Sequence, residues 1–186
     1  MRTMRRISVV GTAGAGKTTL AQQISERLGI THIELDGIHH LPGWTPMGEN
    51  AFRAAVAERL ADESWVADGN YHTKLGGLVW QRADTVVWLD LPRPVVMAQL
   101  VRRTTIRVLT GRELRNGNRE HWRDMLSLDP QRSILVFAWK AYSRNRTRLV
   151  AAQSDPAWAD LAFVRLRSRA QIAAFLAELS ESRDAR

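Results

Sequence analysis

The sequence predicts an α/β fold in which the strands of an open sheet alternate with helices. Five short runs are predicted as strands: residues 7–10, 31–36, 65–68, 85–89 and 163–167. The first run reads Ile-Ser-Val-Val, which is apolar and β-branched, as expected of a buried parallel strand. It is followed by apolar residues at helical spacing, Leu20, Ile24 and Leu28, before Gly29 ends the helix. The 186 residues of the chain fit a single domain, residues 1–186, with insertions.

The strongest motif lies between the first predicted strand and the first predicted helix. Residues 11–18 read Gly-Thr-Ala-Gly-Ala-Gly-Lys-Thr and fit the phosphate-loop pattern G-x-x-x-x-G-K-[ST] at every position. Glycine lets such a loop turn its backbone N–H groups inward, and the N-terminus of the next helix attracts phosphate. We therefore predict that ATP binds to Gly11, Ala13, Gly14, Ala15, Gly16, Lys17, Thr18 and Thr19. Lys17 is expected to reach the β- and γ-phosphates as a catalytic residue, and the Thr18 hydroxyl to bind Mg²⁺.

Three carboxylates stand at the ends of predicted strands. Ligands of open α/β sheets bind beyond the carboxyl ends of the strands. Asp36, at the end of the second predicted strand, is therefore a candidate to orient an acceptor hydroxyl or to take its proton. Asp68 ends the third predicted strand and Asp90 follows the fourth, and either position suits a carboxylate that holds Mg²⁺. We favour Asp68 as the metal ligand beside Thr18, with Asp90 as the alternative.

The segment between the second and third predicted strands is expected to cover the ligand edge of the sheet. Within it, residues 49–60 form a predicted helix with Phe52, Val56 and Leu60 on one face. A turn-rich stretch, Leu-Pro-Gly-Trp at residues 41–44, precedes this helix. We predict that residues 37–63 are a helical insert that binds the acceptor, and we refer to them as the flap.

Two further helices are predicted from residues that interrupt or cap helices. Residues 71–82 are expected to be helical with an interruption at Gly76-Gly77. Ser168, followed three residues later by Gln171, predicts the capped start of the last helix.

The region after the fourth predicted strand concentrates positive charge. Helices are predicted over residues 95–109 and 130–153, joined by a polar segment rich in arginine. The stretch from Arg102 to Arg148 holds twelve basic residues against four acidic ones, so it carries the whole net charge of +8. Such a surplus favours an anionic partner, which is a nucleotide, a phosphorylated substrate or a nucleic acid. We predict that about residues 102–148 form a lid that closes guanidinium groups onto a transferring phosphoryl group.

Composition narrows the class of protein. The chain contains no cysteine, so neither a disulfide framework nor a thiolate metal site is expected. No stretch approaches the roughly 20 apolar residues that a membrane-spanning helix needs, and the basic start of the chain leads directly into the phosphate loop. We expect a cytoplasmic protein without a membrane partner.

The chain resembles the adenylate-kinase-like small phosphate-loop kinases and, among them, the group of DNA topology modulation proteins. The resemblance rests on residues 11–18, on Trp-Val-Ala-Asp-Gly-Asn-Tyr at residues 65–71, on residues 83–93 and on the arginine-rich lid. It implies a five-stranded parallel sheet of order 2-3-1-4-5 with ATP on the phosphate loop. It also implies catalytic lid arginines, for which the candidates are Arg102 or Arg103, Arg107 and the cluster Arg144–Arg148 with Arg146.

These observations favour a phosphotransferase that uses ATP and Mg²⁺. It is expected to move the γ-phosphoryl group of ATP to a nucleotide or another small-molecule acceptor, and Lys17→Ala is expected to abolish turnover. One alternative is a nucleotide-gated, topology-related regulatory protein whose affinity for DNA falls steeply with salt. The other is an ATPase without an acceptor, whose turnover added acceptors do not accelerate. The sequence leaves the acceptor, the preferred nucleobase and the choice between monomer and dimer open.

Overall fold

A parallel sheet of five strands forms the centre of the protein. The computed structural model describes residues 4–111, 113, 115–117, 129 and 133–184. The strands are β1 (Arg6–Gly11), β2 (Thr31–Glu34), β3 (Trp65–Asp68), β4 (Thr85–Leu89) and β5 (Ala162–Leu166). All neighbouring pairs are parallel, and the order across the sheet is β2-β3-β1-β4-β5. This confirms the predicted α/β fold and the strand order that the resemblance implies.

Helices connect the strands and cover both faces of the sheet. In the described residues they are α1 (Lys17–Leu28), α2 (Leu35–His39), α3 (Glu49–Arg59), α4 (His72–Leu75), α5 (Leu78–Arg82), α6 (Arg93–Thr110), α7 (Ile134–Gln153) and α8 (Arg169–Asp184). The interruption predicted at Gly76-Gly77 separates α4 from α5. The predicted cap is present as well, because Gln171 N donates to Ser168 Oγ over 3.2 Å at the start of α8.

Each face of the sheet has its own apolar core. On one face, Ile7 and Val9 of β1 pack with Ile24 of α1 and Phe175 of α8. On the other face, buried side chains of β3 and α7 pack against the flap, including Trp65, Phe52, Val56 and Leu149. Burial on both faces explains why the central strands read as nearly continuous apolar runs. It also leaves the carboxyl ends of the strands as the edge at which polar side chains can meet.

Strand β2 is shorter than predicted, which moves Asp36 out of the sheet. The pairing of β2 with β3 ends where Glu34 lies opposite Asp68, so Leu35 has no strand partner to continue the ladder. Leu35 instead turns into the core, where it is 2% exposed, and begins helix α2. The prediction that Asp36 ends a strand is therefore wrong, and this residue lies in the first turn of α2.

Helix α7 begins at Ile134 and not at the predicted residue 130. Ser133 has extended dihedral angles and acts as the N-cap, with its Oγ accepting from Val136 N over 3.5 Å. The connection before it falls largely outside the described residues, namely 112, 114, 118–128 and 130–132, so most of the predicted lid segment is not described. Within the described residues, no helix combines the length and the apolar character needed to cross a membrane.

Candidate active site

The phosphate loop links β1 to α1 at the carboxyl edge of the sheet. Gly11 ends β1 and Lys17 begins α1, so the eight predicted nucleotide-binding residues run from the strand end to the first turn of the helix. Gly16 occupies the N-cap position of α1 with φ 95° and ψ 21°, a left-handed conformation that favours glycine. A Cβ atom at Gly16 would meet nothing within 4 Å, so the space in front of the helix N-terminus is open. Helix α1 has twelve residues, and open space at the N-terminus of such a helix suits a phosphate group.

The structure brings the two predicted metal ligands into contact. Thr18 Oγ1 donates to Asp68 Oδ2 over 2.7 Å, although the two residues lie 50 positions apart in the sequence. The other oxygen, Asp68 Oδ1, lies 2.9 Å from His32 Nε2, which must carry the proton because a carboxylate oxygen accepts. Asp68 is only 2% exposed, so its carboxylate is held in one orientation by these two contacts. A hydroxyl and a carboxylate side by side beside a phosphate loop are the oxygen donors that suit Mg²⁺.

Asp90, the alternative metal ligand, has a different role. Its Oδ2 accepts from Arg165 Nε over 2.9 Å and from Arg165 Nη2 over 2.5 Å. Its Oδ1 accepts from Arg146 Nε over 3.2 Å. The guanidinium of Arg165 also lies 4.2 Å from the centre of the Trp88 ring. Asp90 thus ties β4 to β5 and α7 through two arginines, and the geometry favours Asp68 for the metal.

Lys17 lies where the predicted nucleotide and acceptor groups converge. Burial lowers the pKa of Lys17 below its ordinary value, Asp36 and Asp68 oppose this effect, and Arg103 adds to it. Each of these three charged groups must therefore lie within electrostatic range of the ammonium group. Lys17 Nζ is also 3.5 Å from Thr12 O within the loop. Lys17, Asp36, Asp68 and Arg103 are thus close enough to interact electrostatically.

Asp36 is oriented by a tyrosine from the segment that follows β3. The Tyr71 hydroxyl donates to Asp36 Oδ1 over 2.7 Å. Burial, followed by the negative charge of Asp36 and the hydrogen bond to it, raises the pKa of Tyr71 far above its ordinary value, so the hydroxyl keeps its proton. The ring of Tyr71 packs against Phe52 of α3 and His39 of α2, with ring centres 5.1 Å and 4.8 Å away. Tyr71 therefore connects the flap to the carboxylate that is predicted to meet the acceptor.

The predicted lid arginines differ in their surroundings. Arg103 lies near Lys17, and Arg107 is one turn further along α6 on the same side and half-buried. Arg102 is exposed, and the described residues offer it no contact with the site. Arg146 is 51% exposed and bonded to Asp90, so its predicted place at the transferring phosphoryl group has no support from the geometry.

Another arginine of α7, Arg148, faces the site more directly. Its side chain lines a cleft together with Ser8, Asn70 and His72. Burial, and then the neighbouring Arg144, lower the pKa of Arg148. The Nε atom of Arg148 is buried without a hydrogen-bond partner among the described residues. Arg148 is thus half-buried beside this cleft, whereas Arg146 is exposed and bonded to Asp90.

The described part of the lid also touches the flap. Asn116, in the short 3₁₀ turn Arg115–Gly117, donates through Nδ2 to Gly37 O over 3.1 Å and to His40 O. Contact between these two regions is what closure of a lid over the acceptor would require.

Sequence reasoning missed the contacts that cross from one strand end to the next. The contact of His32 with Asp68 and that of the Tyr71 hydroxyl with Asp36 were not predicted, while Arg148 was predicted only as a member of the lid cluster Arg144–Arg148. A signal was present for Tyr71, because it lies three residues after the end of a buried strand, at the edge where ligands bind. The pairing of His32 with Asp68 depends on the adjacency of β2 and β3, which periodicity alone does not reveal.

Comparisons of the sequence with known proteins find limited similarity. No family model matches the chain. A curated relative, the uncharacterized protein YqaC of Bacillus subtilis (strain 168), is 28% identical over 98 residues. That match covers 52% of this chain and 54% of YqaC, so the similarity spans about half of the length of either protein.

Solved structures of small kinases superimpose over nearly the whole chain. The shikimate kinase of Bacteroides thetaiotaomicron has a TM-score of 0.55 at 18% identity and covers 98% of this chain and 99% of its own. The shikimate kinase of Acinetobacter baumannii in complex with shikimate has a TM-score of 0.53 at 18% identity, over 98% and 94%. A gluconokinase of Sinorhizobium meliloti 1021 has a TM-score of 0.50 at 19% identity, over 98% and 97%. The chain has the fold of the small phosphate-loop kinases.

Proposed function

We propose that the protein is an ATP-dependent phosphotransferase that acts on a hydroxyl group of a small-molecule acceptor. One observation carries the proposal: the segment after β3 contacts the phosphate loop through the bond from Thr18 to Asp68 and contacts a second carboxylate, Asp36, through the Tyr71 hydroxyl. A nucleotide-binding loop alone would need no second carboxylate on the flap side. The Tyr71 bond that orients Asp36 supports a role for this carboxylate in positioning a reacting group.

Each residue of the site has a separate role in the proposed reaction. The loop backbone and Lys17 hold the β- and γ-phosphates of ATP, and Thr18 with Asp68 holds the metal. Mg²⁺ held by Thr18 and Asp68 would offset the negative charge that develops on the phosphoryl group during transfer. Asp36 keeps Oδ1 bonded to Tyr71, which leaves Oδ2 to accept the proton of the acceptor hydroxyl. The acceptor oxygen then bonds to the γ-phosphorus as the bond to the β-phosphate oxygen breaks, and ADP leaves.

The site favours an acceptor that carries negative charge. Arg148 lines the cleft beside Asn70, its Nε has no hydrogen-bond partner in the described part of the chain, and Arg144 on the same helix adds positive charge. A phosphate or carboxylate group on the acceptor would satisfy these guanidinium groups. Two of the similar structures are shikimate kinases and one is a gluconokinase, so hydroxylated acids join nucleotides as the first acceptors to test. The resemblance to the DNA topology modulation group remains a prediction and names no acceptor.

The proposal is tested by release of ADP from Mg-ATP in the presence of different acceptors. The panel holds nucleoside monophosphates, nucleosides, sugar acids and phosphorylated or hydroxylated metabolites. We expect one acceptor class to accelerate ADP release, and Lys17→Ala to abolish the acceleration. Lys140→Ala is the matched control, because Lys140 is exposed on α7 and should retain the wild-type rate.

Two outcomes would contradict the proposal. A rate of Lys17→Ala close to that of wild type would exclude the mechanism. If no acceptor accelerates ADP release while ATP still binds, the alternatives of an acceptor-less ATPase or a nucleotide-gated DNA-binding protein gain support. Water-dependent turnover and salt-dependent DNA titrations would then separate those two.

A further inference from the structure

The side chain of Asn70 makes a reciprocal pair of hydrogen bonds with the backbone of Gly11. Gly11 N donates to Asn70 Oδ1 over 3.2 Å, and Asn70 Nδ2 donates to Gly11 O over 2.6 Å. The two residues are 59 positions apart in the sequence. Gly11 is the first residue of the phosphate loop, so this contact fixes the point at which the loop leaves the sheet.

The strand geometry explains why a side chain is needed at this point. On one side, Gly11 continues the parallel pairing of β1 with β4, where it lies opposite Leu89. On the other side, the pairing of β1 with β3 reaches only to Val9 opposite Asp68, followed by a bond from Gly69 N to Val9 O of 3.3 Å. The chain then turns away, and the amide of Asn70 takes the place of the missing strand neighbour of Gly11.

Gly69 makes this turn possible. It has φ 149°, and a Cβ atom there would lie 2.9 Å from Leu35 Cβ. A residue with a side chain would therefore have to displace Leu35 or change the turn. The Asp-Gly-Asn order thus places a carboxylate and an amide two residues apart on the same loop.

These two side chains hold opposite ends of the phosphate loop. Asp68 accepts from Thr18 at the end of the motif, and Asn70 bonds to Gly11 at its start. We propose that Asn70 is a positioning residue that fixes the phosphate loop in the conformation that binds nucleotide. The inference rests on the proposed function only in that the loop binds ATP.

The chemistry of the contact gives a sharp test. The planar amide of asparagine has a donor nitrogen and an acceptor oxygen, whereas the carboxylate of aspartate has the same shape but two acceptor oxygens. Asn70→Asp would therefore face the Gly11 carbonyl oxygen with a second acceptor while preserving the packing. Asn70→Ala removes both bonds and the volume. If Asn70 merely fills space, Asn70→Leu, which keeps the volume without adding a charge that repels phosphate, should bind nucleotide as the wild type does, and that result would overturn the inference.

The experiment measures the dissociation constants of Mg-ATP and Mg-ADP by calorimetry, well below the unfolding temperature of each variant. We expect Asn70→Leu to weaken both affinities by about 10- to 100-fold, as strongly as Asn70→Ala, and Asn70→Asp to weaken them at least as much. Gln81→Glu is the matched amide-to-acid control, because Gln81 is exposed on α5, and its affinities should equal those of wild type. Nucleotide affinity of Asn70→Asp within about twofold of wild type would overturn the inference.

Two further measurements keep the result interpretable. Lys17→Ala reports whether nucleotide binds at the loop at all, so unaltered binding by that variant would refute the ATP site and not the role of Asn70. If the Asn70 variants do not fold, the wild-type protein still decides the matter by NMR. The side-chain amide protons of Asn70 should exchange with solvent more slowly than those of Gln81, and equal rates would overturn the inference.

Discussion

Asp68→Asn is the substitution that separates the two candidate metal ligands. It preserves the shape of a side chain that is 2% exposed and bonded to both Thr18 and His32. The amide oxygen can still accept one of these bonds, so the free energy of unfolding should change by about 1 kcal/mol or less. The negative charge, in contrast, is lost completely. If Asp68 holds Mg²⁺ directly or through water, the enhancement of ATP affinity by Mg²⁺ should fall by about 10- to 100-fold.

Asp90→Asn is the matched substitution, and the structure predicts the opposite pattern for it. Asp90 is 6% exposed and receives two bonds from Arg165, which is itself 18% exposed. Removing one partner of a buried ion pair costs about 3–5 kcal/mol, and the remaining amide oxygen and the Trp88 ring reduce this to about 2–3 kcal/mol. A chain of this size loses about 2–4 °C in Tm per kcal/mol, so Tm should fall by about 4–12 °C. The Mg²⁺ enhancement should remain.

The assay titrates ATP into each variant by calorimetry, with Mg²⁺ and with excess EDTA, and follows unfolding by circular dichroism. The ratio of the two dissociation constants gives the Mg²⁺ enhancement separately from any general loss of affinity. Our reasoning predicts a reduced ratio for Asp68→Asn at nearly unchanged Tm, and an unchanged ratio for Asp90→Asn at reduced Tm. A wild-type ratio in Asp68→Asn, or a loss of the ratio in Asp90→Asn alone, would refute the assignment.

Two further predictions concern the acceptor side and the response to pH. Tyr71→Phe removes the hydroxyl that orients Asp36 but keeps the packing of the ring. In steady-state kinetics, KM for the acceptor should therefore rise or kcat fall by about tenfold, while KM for ATP stays constant. Equal changes in KM for both substrates would contradict this prediction. Burial lowers the pKa of His39 and of His72, and the positive charges of Lys74 and Arg148, respectively, lower them further. As pH drops through about 6.5, the unfolded chain therefore takes up protons before the folded protein does, and the free energy of unfolding should fall. Thermal unfolding at about pH 7.5 and about pH 5.5 should show this loss of stability, and a variant with both histidines replaced by glutamine should lose less. Equal losses in the variant and the wild type would contradict the role given to His39 and His72.

Sequence patterns were sufficient for the elements whose ends coincide with changes in residue type. Strands β3 and β4 were predicted at their observed bounds, because apolar runs there meet a polar residue or a turn on each side. The phosphate loop was equally local, since its glycines and Lys17 lie within eight residues. In β2, by contrast, apolar Leu35 continues the strand pattern, while the actual end is set by the neighbouring strand. Boundaries that depend on a partner are not encoded in the run itself.

The arginines show a second limit of sequence reasoning. Arg144 and Arg148 are one turn apart on α7 and share a face of the helix, whereas Arg146 points to another side. Which of them faces the phosphate loop depends on the rotation of α7 about its axis. The burial of Leu149 against the sheet and the bond from Tyr142 to Leu91 O fix that rotation. Both contacts are tertiary, so the charge pattern alone could not decide which arginine of the cluster Arg144–Arg148 lies nearest the phosphate loop.

The order of the strands explains why one short segment serves three parts of the site. Because β3 lies between β1 and β2, its carboxyl end has the phosphate loop on one side and the start of the flap on the other. Asp68 and Asn70 therefore reach Thr18 and Gly11, and Tyr71 reaches Asp36. One stretch of four residues therefore contacts both the phosphate loop and Asp36, and under the proposed function this single turn would align nucleotide and acceptor before the lid closes. The predicted lid arginines would then only have to complete the charge around the aligned groups.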